Sequence, residues 1–132
     1  MGSFNNRARA AQLIDFEGLK WDKCGCTDID LSLDWQGRTF IFVEIKTEGT
    51  MLTLGQKYHL QALVRAIRAG GRVAFAILAH HNTVVTEDVY AAQCRTAKVF
   101  DGIKWNIVDT GERLSDTIDA MYAEHQREEK AA

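Results

Sequence analysis

Four ionisable residues stand out by type and spacing: Asp28 and Asp30 in the run TDID, and Glu44 and Lys46 in the run IFVEIK. Side chains two apart on a strand share a face, so each pair presents both of its groups to one side. If the two runs form a hairpin in which Asp30 faces Glu44, then Asp28 faces Lys46, because paired positions share a constant sum. All four groups then converge. A slip of one residue sends the two pairs to opposite faces. Glu44 and Lys46 interrupt an otherwise apolar run, where a charge needs a partner or a metal ion. Carboxylate-led oxygen sites suit magnesium or manganese. A cation there holds a phosphate oxygen and lowers the pKa of a bound water. A lysine beside that water orients it, takes its proton or stabilises developing charge. The competing reading of the same residues is a cross-strand salt bridge on a solvated sheet face.

The elements that must position this group follow from periodicity. Residues 29–35 alternate, with Ile29, Leu31, Leu33 and Trp35 on one face and polar residues on the other, so they read as a strand. Gln36-Gly37 makes the turn, and residues 39–46 return as the second strand. Residues 54–69 have helical spacing through Gln56, Leu60, Leu63 and Ile67, and stop at Gly70-Gly71. Gln56 therefore faces the sheet from the first helical turn, where a buried amide needs partners. The hairpin carboxylates or a helix-end backbone bond would supply them. Residues 73–79, VAFAILA, read as a strand covered on both faces.

Toward the ends the signals are weaker. A first helix is expected over residues 6–19, which would put Glu17 on a stripe with Leu13 and Ile14 and make it a possible further acid for the site. A short helix is expected over residues 86–94, and a hairpin over 98–108 around Asp101-Gly102. A final helix begins at Leu114 and is expected to fray over residues 125–132.

The run CTDIDLSLDWQGRTFIFVEIK, followed by LTLGQKYHLQALVRAIRAGGRVAFAIL, resembles the PD-(D/E)XK nuclease superfamily, closest to its small VRR-NUC-like and phage-encoded members. The likeness lies in an Asp at a strand start, a hairpin, Glu-x-Lys, a helix opening near a Gln, then Gly and a core strand. It spans residues 25–79, and it departs from the family pattern in having no proline before either aspartate. The resemblance implies an α/β fold, a mixed central sheet flanked by helices, with a restriction-endonuclease-like αβββαβ core. It also implies a Mg2+- or Mn2+-dependent deoxyribonuclease leaving a 5′-phosphate and a 3′-hydroxyl. Asp30 and Glu44 would be metal ligands, the Ile45 carbonyl a further one, Lys46 the catalytic lysine and Gln56 a supporting residue. The register favours Asp30 over Asp28 as the ligand, and the choice stays open between them.

The 132 residues, 46% hydrophobic, are enough for one domain with one core. Net charge is −2, but residues 49–86 contain no acid and carry Lys57, Arg65, Arg68 and Arg72. This permits a local basic face toward DNA, against the simpler reading of a solvated helix. No run of 18 apolar residues suggests a membrane partner. Cys24, Cys26 and Cys94 form no paired framework, which fits free thiols in a reducing cytoplasm, bacterial or of a phage-infected cell. One domain offers one site, so cutting two strands or a junction would need a homodimer. The alternative from another class is a nuclease-like module that binds nucleic acid or protein without catalysis. A structural zinc site built from the cysteines with His80 and His81 is a remote third.

Overall fold

A computed structural model describes residues 12–131. A two-residue hairpin, β1 (Lys20–Trp21) with β2 (Cys24–Gly25), precedes the main sheet. That sheet holds β3 (Leu31–Trp35), β4 (Thr39–Thr47), β5 (Val73–His81), β6 (Arg95–Phe100) and β7 (Trp105–Ile107) in sequential order. Only β4 and β5 run parallel, joined by helix α1 (Leu54–Ala69); the other neighbours are antiparallel. Helix α2 (Leu114–Ala131) closes the chain. The fold is therefore α/β, with a mixed five-stranded sheet between two helices.

Alternation along β4 divides the core in two. Ile41 and Val43 point toward α2, packing with Ile77, Ala79, Cys94 and Leu114. Phe40 and Phe42 point toward α1, whose Leu60 and Val64 lie on Ala74, Ala76 and Phe100. Alanines at two consecutive same-face positions of β5 let the helix come close. The hairpin between β3 and β4 turns through the three residues between the paired Trp35 and Thr39, with Gln36 and Gly37 both at positive φ (59° and 66°).

The structure departs from the sequence expectations at three elements. Residues 6–11 of the expected first helix lie outside the described residues, and the remainder up to Leu19 is irregular chain and a turn. Leu13 and Ile14 are almost wholly exposed there, so no apolar stripe holds a helix in place. Between Thr86 and Cys94 only a single 3-10 turn forms, Ala91–Gln93. Helix α2 does not fray at residue 125. Buried His125 anchors it, with Nδ1 2.8 Å from Thr39 Oγ1 and Nε2 3.2 Å from Gln36 Oε1.

The β6–β7 turn rests on Asp101. One carboxylate oxygen accepts from the backbone N–H of Ile103 (2.9 Å) and Lys104 (3.0 Å), and the other accepts from Asn106 Nδ2 (3.1 Å). The bonds from Lys104 and Ile103 hold its pKa at about 2. A carboxyl with a depressed folded pKa stabilises above its unfolded value, near 4, and loses that contribution as pH falls toward 2. Asp101→Ala should therefore cost about 1–2 kcal/mol in urea denaturation at pH 7. The gap between variant and wild type should narrow between pH 4 and pH 2.

Candidate metal and phosphoryl-transfer site

The β3–β4 ladder pairs Leu31 with Val43 and Trp35 with Thr39. Continued one step, this register sets Asp30 opposite Glu44, as the constant-sum argument requires. A side-chain bond replaces the next rung: the Ile45 N–H donates to Asp30 Oδ2 at 2.6 Å. Asp30 is thereby fixed at the mouth of the hairpin. Along a strand, one residue's N–H and C=O leave the same edge, so the Ile45 carbonyl lies on the side where Asp30 sits.

Glu44 is only 3% exposed. Its pKa is raised to about 7, first by burial, then by the Asp30 charge and a hydrogen bond shared with that carboxyl, then by the Asp28 charge. The Asp30 backbone pulls weakly the other way. No cation figures among the groups acting on it. Lys46 is half-buried two residues further along and makes no ion pair with any described residue. A cross-strand salt bridge is therefore not what holds this group together.

The parallel partner of Glu44 is Leu78, and that of Lys46 is His80. Leu78 in turn pairs with Lys98, and His80 with Arg95, across a bulge between Leu78 and Ala79. Bulges commonly re-aim side chains beside sites. Two rows cross the α1 face of the sheet: Glu44, Leu78 and Lys98, with Asp30 at the open end, and above them Lys46, His80 and Arg95; Asp28 lies in irregular chain before β3. His80 lies inside β5, with both ring nitrogens engaged. Nε2 donates to the Thr50 carbonyl (2.8 Å), which leaves Nδ1 to accept from Arg95 Nη2 (3.1 Å). Arg95 also binds Glu48 at 2.6 Å and holds that carboxyl below its usual range.

Other expected members fall elsewhere. Gln56 lies at the right end of α1, but its Oε1 accepts the Thr53 N–H (3.2 Å) while Thr53 Oγ1 accepts the Gln56 N–H (3.1 Å). This is a capping box, announced in the sequence by Thr-x-x-Gln. No hydrogen bond joins Gln56 to Asp30 or Glu44. Glu17 occupies an exposed turn and does not act on Glu44. Among the cysteines, Cys94 is buried, whereas Cys24 and Cys26 are exposed. No three His, Cys, Asp or Glu side chains among the described residues gather into a ready metal cluster.

The basic residues do not form one face over the site. Lys57 is in the first turn of α1, beside Leu78. Arg68 is about 16 Å further along the helix, and its role is structural. Its Nε donates to the Ala74 carbonyl at 2.7 Å, and its guanidinium covers the Phe75 ring at 4.8 Å. A Cβ on Gly102 (φ +99°) would come within 2.5 Å of Arg68 Cδ, so the next turn is shaped around this arginine. Arg65 lies over Phe100 at 5.3 Å, and Arg72 adjoins Val73, at the end of the sheet away from Glu44. Arg68→Ala should cost about 2 kcal/mol in chemical denaturation, and Arg65→Ala less than about 1 kcal/mol.

Compared with known proteins, the chain matches no family model, no curated protein and no solved structure.

Proposed function

We propose that the protein is a metal-dependent nuclease that hydrolyses DNA phosphodiester bonds at Asp30, Glu44 and Lys46. The observation that carries this reading is a buried glutamate pressed against one aspartate and near a second, with an unpaired lysine two residues away. Such an arrangement is costly as structure and useful as a site. Its donors are hard oxygens: the carboxylates of Asp30 and Glu44 and the carbonyl of Ile45. They fit Mg2+ or Mn2+, which keep several waters and need few protein ligands. Asp30 is the better placed of the two aspartates, because it is bonded to the Ile45 N–H and shares a hydrogen bond with Glu44. When bound, a divalent ion would supply Lewis-acid stabilisation of charge on phosphorus and lower the pKa of water.

The chain's own residues do the rest. Lys46 orients the attacking water and moves its proton. Water attacks phosphorus in line, the bond to the 3′ oxygen breaks, and that oxygen leaves as a 3′-hydroxyl while the phosphate stays on the 5′ side. Apolar Leu78 and the cover of α1 limit competing solvent. Each chain carries one such group, so cleavage of both strands or of a junction uses a homodimer. No helix among the described residues is long and apolar enough to cross a membrane, and we place the activity in the cytoplasm.

The test is incubation of the protein with supercoiled, linear and branched DNA, with Mg2+ or Mn2+ and with EDTA. Nicking or linearisation only with the metal supports the reading. DNA binding without cleavage under every condition would instead make the fold a non-catalytic binding module.

A further inference from the structure

We propose that Lys57 and Lys98 form a subsite for the phosphate adjacent to the scissile one, so that the substrate is a strand extending beyond the cut. This rests on the nuclease reading. A cavity of about 80 Å³ lies between the start of α1 and strand β6, lined by Met51, Leu52, Lys57, Leu78, Lys98 and Trp105. It belongs to the same face as the carboxylates, because Leu78 pairs with Glu44 on one side and Lys98 on the other. Lys98 is thus two strands from Glu44, about 10 Å across the sheet.

The lining is unusual in charge. Two lysines line it beside an apolar floor, no acid is among the lining residues, and neither lysine makes an ion pair with a described residue. An anion seated between two ammonium groups is attracted by both. Leu52, Leu78 and Trp105 line the same space and offer the apolar surface along which lysine stems pack while their ammonium groups stay in water. Trp105 is itself held, its Nε1 donating to Gln61 Oε1 at 2.9 Å, so the floor is firm. The space is far below that of a drug-sized pocket, and suits one phosphate group. A DNA strand crossing from Glu44 over Leu78 to Lys98 would place its scissile phosphate at the acidic end of the row and the next one at the basic end.

The experiment measures binding of a fluorescent single-stranded DNA oligonucleotide in EDTA across a range of NaCl, together with steady-state cleavage in Mg2+. Lys98→Gln and Lys57→Gln are compared with wild type, with Lys98→Arg as the conservative rescue and Lys130→Gln, on α2, as control. Each Gln variant should bind about tenfold more weakly, with the slope of log K against log salt reduced by about 1. KM should rise with kcat nearly unchanged. Lys98→Arg should restore the slope, and thermal melting should show all variants folded. If wild type binds with a clear salt slope and both Gln variants match it, the subsite is overturned while the nuclease reading stands. If wild type neither binds nor cleaves, that reading falls and the subsite with it.

Discussion

Replacing Glu44 by glutamine should make the metal-free protein more stable at pH 8, not less. Burial and the Asp30 charge push the carboxyl up to about 7 in the fold, against an ordinary value of 4.5. Between those values the folded state holds a proton that the unfolded chain has released, so stability falls as pH rises through the window and stays low above it. The cost at pH 8 is on the order of 2–3 kcal/mol. Glutamine has nearly the same shape and no charge to desolvate. Glu44→Gln should therefore gain that amount at pH 8, roughly 6–10 °C in melting temperature for a domain of this size. The gain should vanish near pH 4, where the carboxyl is neutral in both states. Thermal melts in EDTA at the two pH values check this. A loss of stability at pH 8 would mean that a cation of the chain holds Glu44, and the salt-bridge reading would return.

Lys46→Ala should reduce cleavage by about 100- to 10,000-fold, the range for loss of a proton-handling group, while changing stability by less than about 0.5 kcal/mol. The second half of that expectation is what the structure adds. Lys46 has no ion pair with a described residue to lose, so its removal leaves no orphaned carboxylate beyond those already unpaired. A single-turnover assay with saturating DNA and Mg2+ separates the chemical step from binding. An unchanged rate would take the lysine out of the mechanism, and a collapsed melting transition would assign it to the fold.

Much of the site was legible in the sequence because strand pairing obeys simple arithmetic. A register that faces Asp30 with Glu44 makes every pair sum to the same number, and the ladder, closed by the three residues between Trp35 and Thr39, has that register. Helix α1 was equally plain, since its apolar spacing and glycine stop act together. What sequence could not supply was the register of β5 against β6. The bulge at Leu78/Ala79 shifts the pairing by one residue, and that shift puts Arg95 on the face that already carries Lys98. Arg68 misled for a different reason. Its exposure pattern on a helical wheel resembles that of a phosphate contact, and only tertiary structure reveals the Ala74 carbonyl and Phe75 ring that claim it. Gln56 carried two signals at once, an inward-facing stripe and a capping box, and the local hydrogen bonds to Thr53 are the ones formed.

The central claim is that Asp30 and Glu44 hold a divalent cation, and titration of melting temperature with Mg2+ and Mn2+ tests it most directly. The measurement is made at pH 8, alone and with an uncleavable DNA. Stabilisation should grow as RT ln(1 + [L]/Kd), reaching about 2.7 kcal/mol at a hundred times Kd. Asp30→Asn, whose amide oxygen can still accept the Ile45 N–H, should fold and lose most of that rise. Glu44→Gln should lose it too, from a higher metal-free baseline, and Asp28→Asn should lose less than either. No metal-dependent shift in the wild type, with or without DNA, would contradict the account and leave the buried Glu44 and its neighbour Asp30 without a purpose in catalysis.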